Sequence, residues 1–216
     1  MSLLIEFKNI LMKTINILFL LGLILACISC DESFWDDDSK RITGDGEIKE
    51  LTVDLPDFEF VDLEGVANVY IETGLDQHVT LEAYENILSY MVAEVVGDEL
   101  VIRFKENLSV NSDEEIKVDI SMPSLSGVSL SGVGNFYLNG PPQELISLEI
   151  NGVGNIEAYG LPVYQGIAEI NGTGNIEIRA KETLEVDIDG LGNVYYRDYP
   201  QLSTDISGLG EVVNDN

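Results

Sequence analysis

The second half of the chain repeats one pattern of apolar and polar residues five times. In each unit two mostly apolar positions flank a polar one and lead into a glycine. The inner of the two positions is Leu130, Ile150, Ile170, Ile188 or Ile206, and the outer is Val128, Leu148, Ala168, Val186 or Thr204. After the glycine the apolar set resumes at Phe136, Ile156, Ile176, Val194 and Val212. Because side chains alternate between the two faces of a β-strand, each unit is predicted to form a strand, a tight turn, a second strand and a loop.

A G-x-G triplet occupies the predicted turn of every unit. The triplets begin at Gly132, Gly152, Gly172, Gly190 and Gly208 and end at Gly134, Gly154, Gly174, Gly192 and Gly210, at spacings of 20, 20, 18 and 18 residues. Four triplets are followed by an asparagine, at Asn135, Asn155, Asn175 and Asn193, and the fifth by Glu211. Glycine tolerates positive φ, so the backbone can turn where a side chain would clash. We predict that the residue between the glycines points inward and fills the corner; this residue is Val133, Val153, Thr173, Leu191 or Leu209.

The fixed period predicts a repeat fold in which no unit is stable alone. Burial of about five aliphatic side chains per unit contributes roughly 1.5–3 kcal/mol each, whereas ordering about 20 residues costs on the order of 30 kcal/mol. We therefore predict an all-β fold, a right-handed parallel β-helix-like solenoid with two-strand repeats around the G-x-G turns. The asparagines would form a structural ladder along the stack, about 4.8 Å apart. Regular repeats begin at about residue 126, after shorter strand-like runs over 51–120 and one or two helical turns at 85–91.

The start of the chain indicates export. The run from Ile15 to Ile28 is almost wholly apolar and is followed by an acidic stretch, and it is too short to span a bilayer comfortably. The chain's two cysteines, Cys27 and Cys30, stand at the end of this run, which resembles the lipobox of bacterial lipoproteins. We predict lipidation of Cys30, with Cys27 as the alternative and a simple cleaved signal peptide as the other interpretation.

These features predict three segments. Residues 1–29 are expected to be a lipoprotein signal peptide, 30–46 an acidic flexible tether, and 47–216 a single solenoid domain. The formal net charge is −28, from 39 acidic against 11 basic residues, so phosphate backbones are repelled and nucleic acid is excluded as a partner. The expected membrane contact is through the lipid anchor. The sequence leaves the oligomeric state open.

One candidate chemical feature is an acidic column, formed by Glu149, Glu169, Asp187 and Asp205. Calcium could relieve the repulsion between neighbouring carboxylates, but a solvated outer face is the favoured interpretation, and no metal site is predicted.

His78 is the one histidine of the chain, and no nucleophile elbow accompanies it. No cofactor and no catalytic residue are predicted. Tyrosines concentrate in the repeats, where they would cover the solenoid edge or else stack on sugars or a protein; they are Tyr137, Tyr159, Tyr164, Tyr195, Tyr196 and Tyr199.

The G-x-G-N-[IV] cores resemble the DUF2807 family, the head GIN domain of autotransporter adhesins. The resemblance runs from about Gly46 to the C-terminus and includes the phrases at 66–72, 97–102 and 118–125. It implies a β-helix-like solenoid with a role in adhesion and brings no catalytic residues. The chain departs from the family in its apolar residues between the glycines, and it contains no translocator or stalk pattern.

The expected function is that of a non-enzymatic cell-envelope lipoprotein, an adhesin-like module of the outer membrane that binds a glycan or a protein at the cell surface. A periplasmic protein-binding or sensory module is the alternative. A carbohydrate-active enzyme on the same scaffold is a third interpretation.

Overall fold

The computed structural model describes residues 40–105 and 108–216, without the side chain of Lys40. The predicted signal peptide, both cysteines and residues 30–39 of the predicted tether lie outside the described residues. The strands of the first part are β1 (Lys40–Thr43), β2 (Ile48–Val53), β3 (Phe60–Leu63), β4 (Val66–Thr73), β5 (His78–Tyr84), β6 (Met91–Val96), β7 (Glu99–Phe104), β8 (Leu108–Asn111) and β9 (Lys117–Met122). Those of the second part are β10 (Gly127–Leu130), β11 (Val133–Asn139), β12 (Gln143–Ile150), β13 (Val153–Ile170), β14 (Ile176–Ile188), β15 (Val194–Arg197), β16 (Gln201–Ile206) and β17 (Val212–Asn214). The described helix, α1, is Glu85–Leu88, where one or two helical turns were predicted.

Most strands pair in parallel within two ladders. The first ladder runs β7, β3, β10, β12, the second half of β13, the second half of β14, and β16. The second ladder runs β9, β4, β11, the first half of β13, the first half of β14, β15 and β17. Equivalent positions of successive repeats are register partners, as in Ile150 with Ile170 and Ile170 with Ile188. The prediction of an all-β fold is confirmed.

Antiparallel strands pair at one end of both ladders. β6 pairs antiparallel with β7, β5 pairs antiparallel with β9, and β2 follows β5. Parallel and antiparallel pairs therefore combine in one mixed sheet of 15 strands, and β1 with β8 forms a separate two-stranded parallel sheet. Within the described residues no helix is long and apolar enough to cross a membrane.

The core lies between the ladders and consists of the inward positions of the repeat. Leu130, Ile150, Ile170 and Ile188 before the turns are 0% exposed, as are Phe136, Ile156, Ile176 and Val194 after them. Ile206, the equivalent residue in β16, is 43% exposed. The difference arises because β16 pairs with β14 alone among the described strands.

Two local predictions were wrong. Lys40–Thr43 lie in the predicted flexible tether, but their backbone pairs with Leu108–Asn111 and Ile42 packs against the core. A loop was predicted to end every repeat, but β13 runs unbroken over 18 residues from the second ladder into the first. The register shift between Ala158 and Val163 takes the place of that loop.

The first half of the chain contains a further rung, that is, one more unit of strand, corner turn and strand in the stack, which the G-x-G spacing does not reveal. Gly65-Val66-Ala67-Asn68 pairs in register with Gly132-Val133-Gly134-Asn135 from the second residue onward. The signal was present in the sequence as G-V-A-N, with alanine in place of the second glycine. Three of the four positions carry the same residue, but Ala67 stands where the repeats have their second glycine, so this segment lacks the G-x-G triplet.

Candidate binding faces

The G-x-G triplets mark the corner where the chain passes from the first ladder to the second. At Gly152 an added Cβ would lie 2.0 Å from the carbonyl oxygen of Gly132 on the preceding rung. At Gly154 it would lie 1.6 Å from the carbonyl oxygen of Gly134, and the backbone there has φ +146°. Backbones of adjacent rungs therefore approach at the corner more closely than any side chain would allow.

The asparagines after the triplets form a hydrogen-bonded ladder. The Nδ2 groups of Asn135, Asn155, Asn175 and Asn193 each donate to the Oδ1 of the preceding asparagine, over 2.9, 3.1, 3.2 and 3.4 Å. The same Oδ1 also accepts the backbone N–H of the next asparagine, at 3.0 Å in every case. The ladder begins at Asn68 and ends where Asn193 Oδ1 accepts from the N–H of Glu211 at 2.9 Å. Since every Oδ1 of the ladder except that of Asn193 accepts two bonds from the next rung, the asparagines hold the register of the stack.

The residues between the glycines point outward, so the predicted inward orientation was wrong. Val133, Val153, Leu191 and Leu209 are 48%, 52%, 50% and 74% exposed. Val66, at the equivalent position of the first rung, is 39% exposed, and Thr173 is exposed as well. The corner interior is occupied instead by backbone and by leucine and isoleucine side chains: Leu130 Cδ2 would lie 3.0 Å from a Cβ at Gly154. The six residues Val66, Val133, Val153, Thr173, Leu191 and Leu209 pair from rung to rung.

Four acidic residues of the first ladder, those predicted from the repeat, stand in one column on its outer face. Glu149 pairs with Glu169, Glu169 with Asp187, and Asp187 with Asp205. Burial raises the pKa of Glu169, and the neighbouring carboxylates Glu149 and Asp187 raise it further. Burial likewise raises the pKa of Asp187, with Asp189 and Asp205 adding to the effect. No group of three or more acidic, histidine or cysteine side chains in 40–105 and 108–216 is placed to hold a metal ion.

The raised pKa values predict that the fold loses stability between mildly acid and neutral pH. A group whose pKa is higher in the folded state contributes stability that is fully present below its unfolded value, 4.5 for glutamate, and lost as pH rises through the folded value. We expect Glu169→Gln to raise Tm at pH 7 and to leave it unchanged at pH 4. Thermal melts followed by circular dichroism at both pH values check this.

Glu144→Gln is the matched control, because Glu144 is an exposed acid of β12 whose side chain is not part of the column. It removes the same formal charge. Equal Tm gains from the two variants at pH 7 would show that net charge, and not the column, causes the effect.

Two tyrosines stack on the outer face of the second ladder. The rings of Tyr70 and Tyr137 have centroids 4.7 Å apart and an interplanar angle of 13°. Tyr70 Oη donates to Glu115 Oε1 at 2.8 Å, and Lys117 Nζ lies 5.0 Å from the Tyr70 ring centroid. Burial and the bond to the Glu115 carboxylate raise the pKa of Tyr70 to about 12. A hollow of about 360 Å³ adjoins Tyr70, and its lining residues are Tyr70, Ile71, Glu72, His78, Asp119, Ile120, Ser121 and Asn139.

Near the C-terminal end of the ladders, some tyrosines pack against the fold and one is exposed to solvent. Tyr159 Oη donates to Asp215 Oδ2 at 3.1 Å, and the Arg197 guanidinium lies 3.9 Å from the Tyr159 ring centroid. Burial and the bond to Asp215 raise the pKa of Tyr159. Tyr196 packs against the core, whereas Tyr199 is 85% exposed. Tyr159 and Tyr196 thus cover the fold, and Tyr199 is available to solvent.

His78 is an exposed residue at the start of β5, where it pairs with Ser121 of β9. Asp119 and Glu72 line the same hollow. No hydrogen bond joins His78 to either carboxylate in the described part of the chain. The hydroxyl of Ser121, the register partner of His78, donates to the backbone carbonyl of Asp76 at 2.7 Å.

Residues 57–147 and 128–200 match the model of a protein family, DUF2807, described as "Putative auto-transporter adhesin, head GIN domain". The two ranges overlap and together cover well over half of the chain. The chain belongs to this family. The resemblance found in the sequence is therefore confirmed, and no curated protein matches the chain.

Solved structures are similar to this family member over most of its length. A "putative adhesin" from Bacteroides fragilis NCTC 9343 is 19% identical, with a TM-score of 0.54 over 80% of this chain and 99% of that one. A "putative adhesin" from Parabacteroides merdae ATCC 43184 is 17% identical, with a TM-score of 0.43 over 82% and 100% of the two chains. At this identity the Bacteroides likeness shows a shared fold.

Proposed function

We propose that this DUF2807 protein is a non-enzymatic binding module of the cell envelope, adhesin-like, that holds a glycan on the outer face of its second ladder. The observation that carries the proposal is the Tyr70–Tyr137 stack beside a hollow lined by hydroxyl, amide and carboxylate groups. Sugars are bound by proteins through aromatic rings together with a few placed polar groups. The family's adhesin description agrees with this assignment.

The stack of rungs supports the finer fold assignment, a right-handed parallel β-helix-like solenoid over 47–216. Register partners 20 and 18 residues apart continue through five units, and the asparagine ladder joins each to the next. Such a stack presents side chains in straight columns instead of enclosing a deep cleft. Straight columns of side chains suit the binding of an extended glycan chain along several rungs.

The envelope location rests on the N-terminal sequence. We propose that Cys30 carries the lipid that attaches the domain to the outer membrane, with the acidic residues up to Ser39 as the remaining tether. Labelled palmitate should be incorporated in cells and lost in Cys30→Ser but not in Cys27→Ser. Incorporation that survives Cys30→Ser would reject this assignment.

Binding to a glycan array tests the function. We expect the protein to retain at least one class of glycan, without cleavage products by mass spectrometry, and Tyr137→Ala to weaken that binding by about tenfold, since stacked aromatic contacts contribute about 0.5–1.5 kcal/mol beyond burial.

Tyr164→Ala is the control, because Tyr164 is 38% exposed and lies outside the stacked pair. A released sugar product would establish an enzyme and overturn the proposal. Failure to bind any glycan on the array would do so too, as would an equal loss in the two variants.

A further inference from the structure

The stacked tyrosine pair has one ring face that nothing else in the described chain covers. One face of Tyr70 meets the ring of Tyr137, with 4.7 Å between the centroids. Lys117 Nζ lies over the Tyr70 ring, 5.0 Å from its centroid, and Lys117 belongs to β9, on the side of β4 away from β11. Both faces of Tyr70 are therefore covered. Within 40–105 and 108–216, no ring or cation is stacked on the far face of Tyr137.

Two carboxylates follow Tyr137 along the same outward column. Tyr137 of β11 is the register partner of Glu157 on β13, and Glu157 is the partner of Glu177 on β14. The column then continues with Tyr195 on β15. Burial raises the pKa of Tyr137, and the charge of Glu157 raises it further. The far face of Tyr137 is therefore bordered by negative charge, and Glu157 and Glu177 are called the carboxylate pair below.

The two arginines of the neighbouring outward column are held by other acids. Arg179 forms an ion pair with Asp198, and Arg197 with Asp215, each at 2.9 Å. Burial raises the pKa of Glu177, neighbouring carboxylates raise it further, and Arg197 lowers it by less. In the described part of the chain, neither member of the carboxylate pair forms an ion pair. A cationic ligand would therefore meet carboxylates that no described side chain neutralises.

The other end of the tyrosine pair shows which ligand such groups hold. Lys117 Nζ lies over the Tyr70 ring and forms an ion pair with Asp119 at 2.8 Å. A ring face and a carboxylate thus bind an ammonium group of the chain itself. Ring faces attract ammonium groups because the π-system is negative above and below the ring. The Tyr137 ring and Glu157 repeat this pairing of groups, without an ammonium from the described residues.

We propose that the glycan held on the second ladder is an amino sugar chain, with a protonated primary amine on the far face of Tyr137 and paired with Glu157. Glu177, one rung further, is placed to receive the amine of another sugar unit. Sugars that carry carboxylate or sulfate groups are repelled by the carboxylate pair, and N-acetylated sugars carry no positive charge for it to bind. This inference rests on the glycan function proposed above and names its ligand class.

Isothermal titration calorimetry of the full chain with two matched tetrasaccharides tests the ligand class. One is a tetramer of glucosamine with free amines, and the other is its N-acetylated counterpart, both at pH 6. We expect the free amine form to bind at least about tenfold more tightly, since the cation–π contact and the ion pair both require its charge. A tetramer of galacturonic acid should bind more weakly than either.

Glu157→Gln with Glu177→Gln tests the carboxylate pair. This variant should bind the glucosamine tetramer about tenfold more weakly and lose the preference over the N-acetylated form. Glu149→Gln with Glu169→Gln is the matched control, because these two are also register partners and the same formal charge is removed from the first ladder. The control should change the dissociation constant less than about twofold.

The four glutamates form no hydrogen bond or ion pair within the described chain, so both double variants should fold as the parent does, which Tm checks. An equal loss of affinity in the two variants would show that net charge governs binding, and would overturn the proposal. Equal or tighter binding of the N-acetylated tetramer by the parent chain would overturn the ligand class and leave the glycan function standing. Failure to bind any glycan on the array would overturn both.

Tetralysine is the remaining arm of the titration. A basic peptide has the same ammonium groups but lacks the sugar hydroxyls that would meet the polar groups of the hollow at Tyr70. We therefore expect it to bind more weakly than the glucosamine tetramer. Tighter binding of tetralysine, lost in the Glu157→Gln, Glu177→Gln variant, would assign this face to a basic peptide and overturn the amino sugar proposal.

Discussion

Gly154→Ala is expected to unfold most of the protein at physiological temperature. The added Cβ would lie 1.6 Å from the carbonyl oxygen of Gly134 and 2.7 Å from its carbonyl carbon, both of which are backbone atoms of the preceding rung. The backbone at this position, with φ +146°, is also one that alanine rarely adopts. The clash is relieved only if the two rungs separate, which breaks ladder hydrogen bonds. We therefore expect the free energy of unfolding to fall by at least about 4 kcal/mol, at the upper extreme for single substitutions. Urea denaturation measures this free energy.

Gly97→Ala is the matched control for this prediction. Gly97 has φ +73° in the β6–β7 turn, and a Cβ there would meet no atom within 4 Å. The substitution strains the backbone but causes no steric clash, so it should lower the free energy of unfolding by about 1–2 kcal/mol. If both variants lose the same amount, backbone conformation alone accounts for the glycines, and close packing of the rungs is not the cause.

Asn155→Ala is expected to destabilise the protein by about 2–4 kcal/mol, because a half-buried backbone donor loses its partner. Asn155 Oδ1 accepts from the backbone N–H of Asn175 at 3.0 Å and from its Nδ2 at 3.2 Å. Asn155 Nδ2 donates to Asn135 Oδ1 at 3.1 Å. Alanine removes all three bonds in the middle of the ladder. Equilibrium denaturation and amide hydrogen exchange at Asn175 are the measurements.

Asn171→Ala, in the next rung, provides the comparison. Its Nδ2 donates to Asn151 Oδ1 at 3.0 Å, also from rung to rung, but both side chains are exposed. Water replaces that bond, so a loss below about 1 kcal/mol is expected. Similar losses in the two variants would mean that the asparagine ladder contributes no more than a surface amide pair.

The sequence predicts only part of the candidate glycan site on the outer face of the second ladder. The sequence places Tyr137 among the tyrosines of the repeats, but its partner Tyr70 lies in a strand far earlier in the chain. Nothing in the local sequence around either residue specifies that they meet. The pairing depends on β4 joining the second ladder beside β11, which places Tyr70 in register with Tyr137. Glu115 and Lys117 reach the same place through β9.

The sequence by itself determined the repeat, the alternation of its strands and the alignment of its asparagines, because these follow from periodicity and recur at every rung. It did not determine the direction of the residue between the glycines, since Val153 is apolar yet 52% exposed. That direction is decided by the close approach of Gly152 and Gly154 to the rung below, which brings backbone into the corner and turns the side chain outward. It likewise took the tertiary structure to place Lys40–Thr43 in a strand, because that pairing depends on β8, more than 60 residues away along the chain. Local pattern specifies which residues can form a rung, whereas long-range backbone contact decides where each side chain lies.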